Sequence, residues 1–332
     1  MRAMMRGVAF LAVLGLWAGV SAGPTRAAEA VTFALDWAIL GRHAGYFASL
    51  ENGYYSAEGL NVTLLRGYGS GDTIKRVAAG RGEFGFADIG ALIIGRIRED
   101  IRVKSIGVMY SKAPHSIFVF TKSGIKGPKD LEGKAVGSTA GSSVRMMFAG
   151  FAKTAGVNLD RIRWVYVDPV SLFPLFLAER VDAMTEFNLA APLIEKQAAA
   201  KGLKVQVIPY ADHGLSFYSN ALLARDDYLR QKPAVARGFV KATMRGWQFA
   251  FDRPDEAIEI LRKAHREVDP VVGKAEVQIV KELALTPEAR QYGLGYVDRA
   301  KMASSIDLIV DAFDLKKRIA PEEVYTNDFI SR

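Results

Sequence analysis

The chain contains no cysteine among its 332 residues. That excludes disulfides, a thiolate nucleophile and any cysteine metal site, and with them a lipid anchor built on a cysteine. Histidine is scarce as well. The four residues His43, His115, His213 and His265 fall in neither H-x-x-x-H nor H-E-x-x-H spacing, which argues against a zinc hydrolase. There is no G-x-S-x-G nucleophile elbow, no phosphate loop and no dinucleotide fingerprint, since Gly80-Arg81-Gly82 precedes a strand-like run instead of following one. Past residue 30 no apolar run is long enough to cross a membrane. The net charge of +8 is carried by Lys and Arg interleaved with acids, without the basic stripe and spaced aromatics of a nucleic-acid binder. Nothing in the sequence indicates a catalytic residue, a metal or a cofactor.

What is there begins with a leader. Met1 to Arg6 carries two arginines, Gly7 to Val20 is apolar but short for a membrane span, and Val20-Ser21-Ala22 offers small residues at a cleavage position. Ala28 and Ala30 are later candidate cut sites. The expectation is a signal peptide over residues 1–30, cut between 22 and 30. Without a cysteine for lipidation, such a chain is expected in a periplasm, exported and unanchored.

The next stretch organises the rest. Val31 to Leu65, VTFALDWAILGRHAGYFASLENGYYSAEGLNVTLL, reads as strand, loop, helix, turn, strand. Asn52-Gly53 is a helix stop. A βαβ unit predicts parallel strands with a right-handed crossover, and parallel sheets bind ligands beyond the carboxyl ends of their strands. Asp36, Trp37, His43 and Tyr46 are thereby placed near a site mouth. A glycine-rich turn, Tyr68 to Asp72, then opens a helix. Ser70 or Asp72 is positioned to cap it, and the backbone amides there are positioned to meet a ligand.

Phe84 to Ala87 and Val103 to Tyr110 read as strands, with Asp88 and Tyr110 at their ends, and Ser116 to Thr121 is a further apolar strand. The turn-rich stretch Gly124 to Gly133 opens a second unit. Its first strand runs into Ser138-Thr139-Ala140-Gly141-Ser142-Ser143, another small-residue loop ahead of a helix. A later strand ends at Thr185-Glu186-Phe187-Asn188. Asp212 to Asn220 connects back to a strand over Ala221 to Ala224, and the rest is helical, closing on a polar tail after Phe313.

Aromatic, acidic and small polar residues at strand ends are the equipment of a binding site: flat walls and a few directed hydrogen bonds. The candidates are Trp37, His43, Tyr46, Ser70, Asp88, Tyr110, Ser138, Ser142, Glu186, Phe187, His213 and Tyr218. Several have a structural alternative. Trp37 suits a cap over the sheet as well as a ligand wall, Asp36 a loop brace, Tyr46 the core, and Asp88 the cap of the helix after it. His213 and Tyr218 lie where the chain crosses back and suit a hinge equally. Glu186, a carboxylate at the end of a buried strand, has the fewest structural reasons to be there.

The order of units resembles the type II periplasmic binding fold, an α/β architecture of two lobes joined by two crossings with the ligand cleft between them. The details resemble substrate-binding proteins of the nitrate/sulfonate/taurine importers and the thiamine-pyrimidine-precursor binders. The residues that carry this are Leu35-Asp36-Trp37, His43 to Phe47, Glu51 to Tyr55, Glu58 to Val62, Gly85 to Asp88, Lys129 to Lys134 and Val181-Asp182-Ala183. The resemblance implies a first lobe of residues 31–120 plus 217–332 and a second of 121–216. It implies a non-enzymatic binder of a small flat heterocycle, a pyrimidine, thiamine precursor or flavin, with Trp37 stacking and Glu186 pairing with an amino edge. Its partners would be an ABC permease and ATPase; no nucleic acid or membrane insertion is implied, and a monomer is expected. The alternatives are a sulfonate, taurine or nitrate binder using the Gly69–Gly71 and Ser138–Ser143 loops, and a biosynthetic enzyme of the same fold. That enzyme branch carries a cysteine-rich motif that this chain lacks.

Overall fold

The computed structural model describes residues 27–331. Residues 1–26, most of the expected leader, lie outside the described residues. The strands are β1 Glu29–Ala34, β2 Leu60–Leu65, β3 Phe84–Asp88, β4 Val103–Val108, β5 His115–Phe120, β6 Ala135–Ser138, β7 Arg163–Tyr166, β8 Ala183–Phe187, β9 Val205–Pro209 and β10 Asn220–Arg225. The helices are α1 Ala44–Glu51, α2 Tyr54–Ala57, α3 Ser70–Ala78, α4 Ile89–Arg98, α5 Ser143–Ala155, α6 Pro169–Leu177, α7 Ala191–Ala199, α8 Asp226–Gln231, α9 Pro233–Asp252, α10 Pro254–Ala264, α11 Pro270–Ala284, α12 Pro287–Tyr292, α13 Arg299–Ala312 and α14 Pro321–Val324.

The strands form two sheets, ordered β2-β1-β3-β10-β4 and β7-β6-β8-β5-β9. In the first, β1 runs parallel to β2 and β3, and β10 is antiparallel to β3 and β4. In the second, β6 runs parallel to β7 and β8, and β5 is antiparallel to β8 and β9. The two sheets thus share one plan. Each takes its antiparallel fourth strand from the segment that has just crossed from the other lobe. The crossings lie between β4 and β5 and between β9 and β10.

This moves the expected boundary. Residues 115–120 belong to the second sheet, where Ser116 pairs with Glu186 and Pro209. The first crossing therefore precedes His115 and does not follow Phe120. An unbroken apolar run marks a central strand but carries no information about which sheet it enters. At the amino end, the Glu29 N–H donates to Gly59 O and Glu29 pairs with Leu60. A cut after Ala30 would remove two residues of β1.

Along β5 the side chains alternate between faces. Ile117 and Val119 join the large core under α5 with Phe148 and Phe151. Phe118 and Phe120 join a separate core under α6 with Leu172 and Phe176, and the Phe120 and Phe176 rings stack 4.2 Å apart. In the first lobe Phe239 of α9 stacks on Phe84 of β3 at 3.8 Å. The stretch expected as a polar tail is docked instead: α14 follows, Val324, Tyr325 and Phe329 are buried, and the Thr326 N–H donates to Ser105 O beside β4. Isolated apolar residues in a polar stretch have no period to announce them. Among the described residues no helix is long and apolar enough to cross a membrane.

Candidate functional site

The carboxyl ends of the parallel strands in both sheets meet at one place. After β1 come Asp36 and Trp37, and Arg42 follows in the short helical turn Gly41–His43. The first turn of α3 brings Gly69 and Ser70. From the second lobe the start of α5 brings Ser142, Ser143 and Val144, and the end of β8 brings Glu186 and Phe187. These ten residues line a cavity of about 10 Å³, room for about one water and far less than the about 300–1,000 Å³ of a typical ligand pocket. The lobes are shut on one another. The Gly71 N–H donates to Gly141 O at 3.1 Å, and Lys196 of α7 pairs with Asp269 ahead of α11.

Loop geometry explains the mouth. Asp36 Oδ2 accepts from Asn220 Nδ2 at 2.7 Å, and its Oδ1 lies 3.0 Å from His43 Nε2. His43 Nδ1 accepts from the Leu40 N–H at 3.1 Å, which leaves the ring proton on Nε2, donated to Asp36. Burial pushes the His43 imidazolium down against the pull of Asp36, so His43 is a neutral strut. Asp36 O and Trp37 O accept from the Gly69 and Gly67 N–H groups, tying the first loop to the second.

The charged centre is Arg42, 1% exposed. Its Nη2 lies 3.4 Å from Glu186 Oε1 across the lobe boundary, and its backbone N–H donates to Glu276 Oε2 at 3.1 Å. Glu186 Oε1 also accepts from the Phe187 N–H at 2.7 Å. Arg42 Nε and Nη1, Glu186 Oε2, Glu276 Oε1 and the Tyr46 and Tyr110 hydroxyls are buried without a partner. Each such orphan costs about 1–3 kcal/mol, more when charged. Burial pushes the Glu186 carboxyl up and the Glu276 carboxyl up to about 7, with Arg42 pulling both back. Burial disfavours the Arg42 cation, but Glu186, Asp36, Tyr110 and Glu276 outweigh it and raise its pKa.

Of the residues singled out from sequence, Trp37, Ser70, Ser142, Glu186 and Phe187 line this space. Trp37 reaches across to the second lobe's core of Phe118, Leu172 and Phe173. Ser70 and Asp72 do not cap α3: Gly69 is its N-cap and makes no side-chain bond. Ser142 does cap α5, accepting from the Val144 N–H. Tyr46 and Tyr110 are fully buried, each edge-on to an aromatic neighbour: Tyr46 to Phe33 and Trp247, and Tyr110 to Phe86.

The others lie elsewhere. Asp88 caps α4, accepting from the Ala91 N–H and from Ser219 Oγ. Ser138 is hydrogen-bonded to Thr185 at 2.6 Å, and His43 has both ring nitrogens engaged. His213 packs edge-on to Phe151 within the second lobe. Tyr218 Oη accepts from the Asp298 N–H and its own N–H donates to Ser305 Oγ.

Sequence reasoning missed Arg42 and Glu276. Both left a signal. Arg42 stands between Gly41 and His43 in the very loop that flagged Trp37. Glu276 is a carboxylate on the stripe Val272, Val277, Val280 that α11 buries.

Comparison with known proteins fits this geometry. The chain is 23% identical over 313 residues to the riboflavin-binding protein RibY of Chloroflexus aurantiacus, covering 91% of this chain and 86% of that one. It is 23% identical over 312 residues to a formylaminopyrimidine-binding protein of Halalkalibacterium halodurans, covering 92% of each. Its fold is that of the periplasmic binding proteins. The alkanesulfonate-binding protein SsuA of Xanthomonas axonopodis pv. citri superposes with a TM-score of 0.67 at 13% identity, covering 90% of this chain and 98% of that one. Residues 41–257 match the family described as NMT1/THI5 like, and the chain belongs to that family.

Proposed function

We propose that this chain is the periplasmic solute-binding component of an ABC importer, closing two lobes on a small flat heterocycle. Its leader would be cut ahead of Glu29, and its partner would be the permease that receives the ligand. The observation that carries the reading is the make-up of the interlobe space. Trp37 and Phe187 supply flat apolar walls, and the buried Glu186 carboxylate keeps Oε2 without a partner. A ring with a hydrogen-bond donor on its edge answers both. Two relatives named for ring ligands, riboflavin and formylaminopyrimidine, support the ring class. The chemistry of the lining asks for recognition and supplies no nucleophile poised on a base.

Calorimetric titration of flavins, aminopyrimidines and alkanesulfonates tests this. Ring compounds are expected to bind, and Trp37→Ala to weaken them about tenfold or more, the scale of one lost stacking contact. A second reading has its own observation. Arg42 and the amino ends of α3 and α5 face the same space, a donor set suited to an oxyanion. It requires alkanesulfonates to bind and Glu186→Gln to be harmless. Sulfonate binding untouched by Trp37→Ala, with silence from every ring, would replace the first reading by the second.

A further inference from the structure

We propose that Arg42 makes the site selective for flat rings whose edge sets a hydrogen-bond acceptor beside a donor, as the C=O and N–H of a cyclic amide or imide do. The inference rests on the ring-binding reading above and narrows its ligand class. Among the residues lining the space, Arg42 is the one cation. It belongs to the first lobe and Glu186 to the second, so the two stand side by side only when the lobes are shut. Their separation of 3.4 Å is long for a charge-assisted bond, which favours about 2.7–2.9 Å. The pair is therefore not sealed. Arg42 keeps Nε and Nη1 without acceptors, and Glu186 keeps Oε2 without a donor. The Glu276 carboxylate fixes the turn by accepting the Arg42 backbone N–H, and the guanidinium lies over the Phe187 ring, 5.7 Å from its centre.

Closing on the wrong ligand leaves one charge buried and unanswered. A ligand with acceptors only satisfies Arg42 but crowds Glu186. A donor-rich cationic ring satisfies Glu186 but faces the guanidinium. A ring edge with both functions answers both, so discrimination comes from the penalty on the two wrong classes as much as from attraction to the right one.

The test is isothermal titration of the full mature chain with lumichrome, which has cyclic-imide edges, with 2,4-diaminopyrimidine, which is donor-rich and cationic, and with ethanesulfonate, which has acceptors only. The wild type is expected to bind lumichrome about tenfold or more tighter than either other probe. Arg42→Met should reverse the order of the two rings, Arg42→Lys should keep it, and Glu186→Gln should shift preference toward ethanesulfonate. The readout is the ratio of affinities, which a merely unstable variant does not invert. If Arg42→Met does not fold, Arg42→Lys and Glu186→Gln decide by the same ratios. Tighter binding of 2,4-diaminopyrimidine by the wild type, or a lumichrome to diaminopyrimidine ratio unchanged in Arg42→Met, overturns the role of Arg42 and leaves the ring-binding reading standing. Binding of ethanesulfonate alone overturns both.

Discussion

Two buried histidines show how much a side chain's partners decide. His43 has both ring nitrogens hydrogen-bonded, whereas His115 makes no hydrogen bond and has only the Asp88 carboxylate, 3.5 Å from its Nε2. His115 sits among the rings of Phe187, Tyr210 and Phe217, where β5 leaves the first crossing. Burial pushes its pKa down to about 3. The unfolded chain binds that proton near pH 6.5, so the stability linked to His115 is complete above pH 6.5 and is lost as pH falls toward 3, with about 2 kcal/mol gone by pH 5. Neighbouring Asp88 has the opposite sign. Burial raises it to about 7, so its linked stability is present below pH 4 and is lost as pH rises through 7. The two oppose each other in mildly acidic solution. His115→Phe should therefore be more stabilising at pH 5 than at pH 7.5 by about 2 kcal/mol in urea unfolding; an equal effect at both pH values would remove His115 from the balance. At this scale, the residues legible in sequence were those whose type clashes with their place. Glu186 at the end of a buried strand is one and Trp37 beside Asp36 another. Arg42 was hidden by its neighbours, since a basic residue in a glycine-flanked loop is ordinary until its side chain is seen to turn inward.

Between elements, backbone contact sets the tolerances. Helices α1 and α9 cross so closely that a Cβ on Gly246 would lie 1.9 Å from Ser49 Oγ and 2.4 Å from Gly45 O. Ser49 Oγ lies 3.0 Å from both Gly45 O and Ala242 O, so swinging it aside breaks the hydroxyl's bond between the two helices. Gly246→Ala would gain helix propensity in an isolated helix. Here overpacking is expected to dominate and to cost about 1–3 kcal/mol in chemical denaturation; a neutral or stabilising result would show that the two helices can slide apart freely. This crossing was not legible in sequence. The apolar face of α9 was, with Phe239, Trp247 and Phe251 on it, because a period of 3.6 survives in the residue types. Which helix it meets, and at what distance, depends on residues with no side chain to read. The same distinction explains β5. Its strand character follows from six buried residues in a row, while its sheet is settled by pairing partners nearly seventy and ninety residues away.

At the scale of the whole molecule, the repeated plan of the two sheets makes closure a meeting of like ends. The loop that opens α3 meets the loop that opens α5, and the echo between Gly69–Asp72 and Ser138–Ser143 visible in sequence is the trace of that plan. Gly69 is the tightest point of the seam. Its φ of +128° is a conformation that only glycine holds readily, and a Cβ there would lie 2.2 Å from Gly141 O of the opposite lobe. Gly69→Ala therefore carries two costs of different reach. Backbone strain of about 1–3 kcal/mol acts whether the lobes are open or shut, whereas the clash with Gly141 acts only when they are shut. On the proposed reading, ligand binding needs the shut form, and the affinity of a ligand falls with the fraction of molecules able to adopt it. The substitution should thus enlarge the radius of gyration measured by small-angle scattering at saturating wild-type ligand concentrations and weaken binding about tenfold or more. Unfolding should remain cooperative. Unchanged scattering and affinity would mean that the Gly69–Gly141 contact yields without cost and that closure is governed elsewhere, by Arg42 and Glu186 at the centre of the cleft.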